Sequence, residues 1–325
     1  MKRADSFRSP FRCMKAHVRA KRKVEWLKFD LKGTLTAMIT PFKQSGEVDV
    51  EGIRQLVKFQ LEGGVDGLVP CGTTGEVPTL SHDEKCLVVK TVVDASNGKL
   101  PVIAGAGTNN TADSVKLAKE FADVGADGLL AVVPYYNRPT QEGMFQHFKA
   151  IAQSTDRPLV LYNIPGRSAS NLEVSTVKRL TQVKQITGLK ESSGNFAQIM
   201  KLVQEVGDKI SILSGDDPIT LPIIALGGRG VISVASNIAP KEMSTLVNAA
   251  LAGNFQEAKR IHYKLLPLFD VLFVETSPAP LKKAMSIVGL PDGSVRLPLV
   301  PVSEESTQKI KVVLDQLGLS KKTRA

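Results

Sequence analysis

The stretch Gln185-Ile186-Thr187-Gly188-Leu189-Lys190-Glu191 reads as a short buried strand that carries an amine to its end, with the polar turn Ser192-Ser193-Gly194-Asn195 behind it. Burial disfavours an ammonium relative to the neutral amine, and the neutral amine is the form that attacks a carbonyl. A lysine at a strand end is more often a solvated charge, so the other strand ends have to decide between the two readings.

Working outward from this strand, short Val/Ile/Leu-rich runs alternate with longer amphipathic stretches. The runs are Gly33–Thr40, Gly67–Pro70, Pro101–Ala104, Gly128–Val133, Pro158–Tyr162, Ile186–Lys190, Ile210–Leu213 and Gly230–Val234. Apolar runs without alternation imply burial on both faces, hence a parallel sheet covered by helices. Asp49, Ser81, Thr111, Thr140 and Asn195 read as openers of the intervening helices. Ser81 is followed three residues later by Glu84, at capping-box spacing. Eight strand-helix units close most simply into an α/β (β/α)8 barrel of the TIM type. The rival, an open doubly wound sheet, usually carries a glycine-rich cofactor turn, and the sequence holds neither G-x-G-x-x-G nor a P-loop lysine. Beyond residue 239 only helices are expected, over Pro240–Ala252, Phe255–Phe273, Pro280–Gly289 and Ser303–Leu317. The domain reading is therefore a basic, disordered tail over 1–30, the barrel through its eighth strand over 31–239, the last barrel helix and a C-terminal helical extension over 240–319, and a second basic tail over 320–325.

The charge balance needs locating before it means anything. Residues 1–30 hold ten Lys or Arg against three acids, a net of +7 out of the chain's +10, which leaves only +3 for the other 295 residues. The body thus offers no basic groove, and no nucleic-acid partner is expected. The tail has no apolar segment of the secretory kind. A disordered extension or an upstream start codon is favoured over an organellar transit peptide. The expected location is cytoplasmic, with import through the tail left open. No apolar run approaches the roughly eighteen residues of a membrane span, so no membrane partner is expected. Cys13, Cys71 and Cys86 are odd in number and fit no ligand spacing, and the four histidines are scattered, so neither a disulfide framework nor a metal is expected.

Chemistry in such a barrel collects at the C-terminal strand ends. The second strand ends in Cys71-Gly72-Thr73-Thr74-Gly75-Glu76, where glycines flank two hydroxyls and can turn N–H groups toward an anion. Lacking a following lysine, the turn suits a carboxylate better than a triphosphate; an ordinary turn is the alternative. Tyr135 and Tyr136 follow the fourth strand and Tyr162 ends the fifth, as rim packing or as a phenol able to pass a proton. Arg167, in the Ile164-Pro165-Gly166-Arg167 turn, suits bidentate carboxylate binding or a surface salt bridge. Ser214-Gly215-Asp216-Asp217 ends the seventh strand, and Gly230-Val231-Ile232-Ser233-Val234 is the eighth. An amine, a phenol, paired hydroxyls and an arginine, with no cofactor motif, together describe Schiff-base chemistry on a keto acid.

These motifs, in this order and spacing from about Gly33 to Leu319, resemble the dihydrodipicolinate synthase family of pyruvate-dependent, class I aldolase-like lyases, the superfamily that includes N-acetylneuraminate lyase. The resemblance implies that Lys190 forms the Schiff base with pyruvate. Tyr162 would shuttle protons, relayed through Thr73 and through Tyr136 from a neighbouring subunit. Thr74 would hold the pyruvate carboxylate, and Gly215 and Ile232 would line that pocket. Arg167 would bind the carboxylate of aspartate semialdehyde. No cofactor is implied, and the family's usual assembly is a homotetramer, a dimer of dimers. The product would be 4-hydroxy-tetrahydrodipicolinate, in lysine (diaminopimelate) biosynthesis.

Two rivals are kept. Sialic-acid lyases and hydroxy-oxoglutarate aldolases share the lysine, the tyrosine and the barrel, but the position matching Arg167 is typically not arginine. A catalytically inactive barrel binding a carboxylate or RNA is the non-enzyme alternative, and the occupied catalytic positions argue against it. Lysine-inhibited members use an effector site to which His82, Asn109 and Tyr135 correspond, with Asp113 in place of a glutamate. Val77, Pro78 and Lys85 depart from the inhibited pattern, and a cation at Lys85 would repel bound lysine. Weak or absent feedback is expected.

Overall fold

The computed structural model describes residues 31–291 and 294–320. The N-terminal basic tail, and the C-terminal one from residue 321, lie outside the described residues. Eight strands run β1 (Gly33–Ala37), β2 (Gly67–Val69), β3 (Ile103–Gly105), β4 (Gly128–Val132), β5 (Leu159–Asn163), β6 (Ile186–Glu191), β7 (Ser211–Ser214) and β8 (Gly230–Ser233). Each overlaps one of the eight apolar runs. All pair in parallel, in the order β2-β1-β8-β7-β6-β5-β4-β3, and a parallel bridge between Leu68 and Val102 joins the two ends. The sheet is a closed (β/α)8 barrel. At the β1–β8 seam Gly230 has φ +142°, and a Cβ there would strike the backbone of Gly33, so only glycine lets these strands meet.

Between the strands lie α1 (Val50–Glu62), α2 (His82–Ser96), α3 (Thr111–Asp123), α4 (Gln141–Ala152), α5 (Pro165–Ser168), α6 (Val174–Leu180), α7 (Phe196–Val206) and α8 (Thr220–Ala225). After β8 come α9 (Pro240–Leu251), α10 (Phe255–Val271), α11 (Ala279–Val288) and α12 (Glu304–Gln316). Four of the five expected openers cap their helices. Asp49, Thr140 and Asn195 each accept a backbone N–H through the side chain, and Ser81 forms the full capping box with Glu84. Thr111 does not cap: Asn110 accepts from Ala112 and Asp113, and Thr111 is the first helical residue. The helices α5, α6 and α8 were not read from the sequence. They span 4, 7 and 6 residues and none has a side-chain cap, so they lack the local signals that mark a longer helix.

Two apolar cores follow from strand alternation. Side chains pointing into the barrel form a small cluster of Leu35, Ala37, Val69, Ile103, Leu130, Val160, Tyr162, Leu213 and Ile232, closed at the N-terminal end by Leu31. Residues of opposite parity, such as Leu68, Leu129, Leu161 and Leu189, join the larger layer between strands and helices. This parity determines where Lys190 goes. It is opposite Tyr162 on β5 and Leu213 on β7, both inward, so β6 places an amine where its neighbours place apolar side chains.

Candidate active site

Lys190 is 5% exposed, and its Nζ lies 4.2 Å from the centre of the Tyr162 ring, itself 5% exposed. An amine in this position has a phenol as its wall and Leu213 as its register neighbour on β7, both members of the inner core to which Ile232 of β8 also belongs. Gly215, just past β7, makes room for it. A Cβ at that position would lie 2.7 Å from Lys190 Cε and 2.8 Å from Cγ, and would collide with Ser192 Oγ. Asp216 is the neighbouring charge: burial raises its carboxyl above the ordinary range, and the Lys190 cation works against that rise. Asp217 is buried and accepts N–H bonds from Val234 at 3.1 Å and Ala235 at 2.8 Å, tying the end of β7 to that of β8. Burial pushes its carboxyl up to about 6 despite those donors.

The threonine turn follows β2 at the same end. Thr74 is buried and Thr73 exposed, and Thr40 Oγ1 donates to Gly75 O at 2.8 Å from the end of β1. Arg167 lies on α5, directly beyond Tyr162 and Asn163. It is exposed, and its guanidinium makes no ion pair or hydrogen bond among the described residues, so the surface salt bridge is not formed. Tyr136 is not brought to Lys190 within the chain. Its side chain is 88% exposed, on a loop where it takes φ +71° and Arg138 takes φ +46°. Both residues occupy the left-handed region that favours glycine. The structure thus brings Lys190, Tyr162, Gly215 and Ile232 together, sets Thr73, Thr74 and Arg167 on the loops at the same barrel end, and leaves Tyr136 pointing outward.

Sequence reasoning passed over a polar network on the outer side of β5 and β6. Asn163 Nδ2 donates to Glu191 Oε2 at 3.1 Å and to Asn171 Oδ1 at 3.0 Å. Asn163 Oδ1 accepts from Leu172 N, and Asn171 Nδ2 donates to Gln198 Oε1. Glu191 also accepts from Ser193 N at 2.6 Å. Burial raises the Glu191 carboxyl above its ordinary range, against these donors. The network ties the Arg167 loop to the strand that carries Lys190. Its signal was present in the sequence as polar residues at two adjacent strand ends, Asn163 and Glu191, which share a register position.

Two other features stand apart from this site. His82, Cys86 and Glu120 bring three potential metal donors within 4.8 Å of one another, but His82 Nε2 and Glu120 Oε2 already meet at 2.6 Å as an imidazole–carboxylate pair, which accounts for the grouping. A cavity of about 520 Å³ lined by Lys32, Arg229 and Asn248 lies at the N-terminal ends of β1 and β8, away from the chemistry.

Comparison with known proteins agrees with this geometry. Residues 30–317 match the model of the dihydrodipicolinate synthetase family. A 4-hydroxy-tetrahydrodipicolinate synthase of Syntrophus aciditrophicus is 49% identical over 288 residues, covering 89% of this chain and 99% of the relative. Among solved structures, the dihydrodipicolinate synthase of Aquifex aeolicus superposes with a TM-score of 0.88 at 45% identity, covering 90% of this chain and 100% of that one. A monomeric dihydrodipicolinate synthase variant gives 0.87 at 43% identity, over 89% and 97%. With a family match spanning nearly all the described residues and the motif lysine inside the barrel, the chain belongs to the dihydrodipicolinate synthetase family.

Proposed function

We propose that this protein is a 4-hydroxy-tetrahydrodipicolinate synthase, a lyase that condenses pyruvate with L-aspartate 4-semialdehyde in lysine (diaminopimelate) biosynthesis. The observation that carries the reading is the amine of Lys190 held inside the barrel against the Tyr162 ring. The Lys190 amine adds to the C2 carbonyl of pyruvate and expels water, giving an iminium. Loss of a C3 proton gives the enamine, with the iminium as electron sink. The enamine carbon attacks the aldehyde of the second substrate, and the new alkoxide takes a proton. The substrate's own amine then displaces Lys190 and closes the ring.

Tyr162 is the proton carrier in this reading, with Thr73 and Tyr136 completing the relay. Thr74 holds the pyruvate carboxylate, with Gly215 and Ile232 walling the pocket. Arg167, exposed and without a partner among the described residues, receives the carboxylate of the semialdehyde. The exposure of Tyr136 supports its reaching into a neighbouring subunit; the assembly in this reading is a homotetramer, a dimer of dimers. Of the helices after β8, the first would be the last barrel helix and the others a C-terminal extension. Among the described residues no helix is long and apolar enough to cross a membrane; the location in this reading is cytoplasmic.

Borohydride reduction in the presence of pyruvate, followed by peptide mass mapping, tests the mechanism. The expected result is a pyruvate-derived adduct on the peptide containing Lys190, absent from Lys190→Ala. Coupling the reaction to the next reductase of the pathway tests the second substrate, since only the synthase product supports NADPH oxidation there. An adduct without that oxidation points to an aldolase of the same superfamily instead.

A further inference from the structure

The turn that carries Thr73 and Thr74 is fastened from the far end of the chain. Glu76, which closes it, has φ +52° and a side chain that is 0% exposed. Its Oε1 lies 2.5 Å from the Nζ of Lys282 on α11, itself 3% exposed, as an ion pair out of ideal hydrogen-bond alignment. Its Oε2 accepts the backbone N–H of Arg296 at 3.0 Å. Lys282 Nζ also donates to Ser294 O at 3.2 Å and lies 4.2 Å from the centre of the Phe42 ring, just beyond β1. The Arg296 guanidinium packs on the same ring at 4.2 Å. It also grips Glu84 at 2.9 and 2.5 Å, Thr79 O at 3.0 Å and Gly46 O. Glu84 is the capping-box residue of α2. The segment from Glu76 to the start of α2, which directly follows the turn, is therefore held at both of its ends by residues more than 200 positions away in sequence.

Stability alone does not account for such an arrangement. Taking two charges out of water is costly, and apolar replacements of similar size are often no less stable. A left-handed backbone at a glutamate adds strain. Direction comes from the two-sided hold on the buried Glu76 carboxylate, one oxygen facing the Lys282 charge while the other accepts the Arg296 N–H, a charge-assisted bond that tolerates little displacement. We propose that Glu76 and Lys282 are positioning residues for the reaction: the pair anchors the Gly72–Gly75 turn to α11, so that the carboxylate of the keto acid meets hydroxyls and amides already in place. This rests on the reading above in which that turn receives pyruvate, and it assigns part of the helical extension a role in substrate binding.

The test compares wild type, Lys282→Met, Glu76→Gln and the double variant Glu76→Gln/Lys282→Met, which leaves no charge of the pair unmatched. Far-UV circular dichroism and thermal melting report folding. Adduct formation at Lys190 across a pyruvate series, and KM for each substrate, report the site. The expected result is a folded double variant whose half-saturating pyruvate concentration rises about tenfold or more, as loosening of a preformed site predicts. The semialdehyde KM and the saturating adduct yield should stay within about twofold by the same argument. A folded double variant with the wild-type pyruvate dependence overturns the inference, as does a double variant that does not fold, since the pair is then holding the barrel and not the turn. Failure of wild type to form any adduct is a different result: it overturns the enzymatic reading itself and this inference with it.

Discussion

Replacing Gly215 by alanine drives a methyl group into the side chain of the lysine on which the chemistry depends. The new Cβ would lie 2.7 Å from Lys190 Cε and 2.8 Å from Cγ, and would overlap Ser192 Oγ. Ser192 can give way, because its buried Oγ has no hydrogen-bond partner to lose. Lys190 has less freedom, being 5% exposed in a layer shared with Tyr162 and Leu213. Ordinary contact begins at 3.4 Å, so Cε has to retreat by roughly 0.7 Å. No backbone strain enters, since the Gly215 φ lies outside the left-handed region. A reacting group misplaced by about 1 Å loses on the order of 10²-fold in rate, so a loss of roughly 10- to 100-fold in adduct formation is expected. Overpacking should lower stability by about 1–3 kcal/mol, which thermal melting reads separately. The assay is the time course of borohydride-trapped pyruvate adduct, followed by intact mass. A Gly215→Ala protein that acquires the adduct at the wild-type rate refutes the claim that this glycine makes room for the amine.

Other expectations follow from the same geometry. Arg167→Ala should leave the adduct at Lys190 intact, yet lower kcat/KM for the semialdehyde by roughly 10- to 150-fold, the equivalent of a charged hydrogen-bonded contact worth about 1.5–3 kcal/mol. Loss of the adduct in that variant would move Arg167 to the first half-reaction. Millimolar L-lysine should change the rate little, and strong inhibition would show that Val77, Pro78 and Lys85 are compatible with an effector site. His147 is 5% exposed, with Nδ1 at 2.9 Å from Thr111 Oγ1, and burial pushes its pKa down to about 4. The fold favours the neutral ring, so its contribution is complete above pH 6.5, the ordinary value, and is lost as pH falls toward 4. At pH 5 the loss should be about 2 kcal/mol. Urea unfolding at pH 7 and pH 5 should show it, with a flatter dependence for His147→Gln; equal slopes would reject the assignment.

The barrel was legible because its signals are local. Eight apolar runs, each bounded by turn residues, mark strands buried on both faces, and caps such as Asp49, Ser81 and Asn195 work through neighbours within three residues. The uncapped helices α5, α6 and α8 were missed for the same reason, and Thr111 opens α3 as its first residue, with Asn110 as the cap and the Thr111 hydroxyl engaged by His147 Nδ1. Lys190 and Tyr162 were found as strand-end chemistry. Their approach to 4.2 Å follows from strand register, which places residues 28 positions apart side by side.

Sequence by itself determined the strand count, the parallel arrangement and the kinds of group gathered at one end, since periodicity and capping are written in consecutive residues. Only the tertiary structure decided that Gly215 lies against Lys190, that Asn163 and Glu191 share a buried network, and that Lys282 reaches Glu76. A buried charge reads the same in sequence whether or not it has a partner. What makes it tolerable is an opposite charge brought up by closure of the chain, over separations at which no local pattern survives.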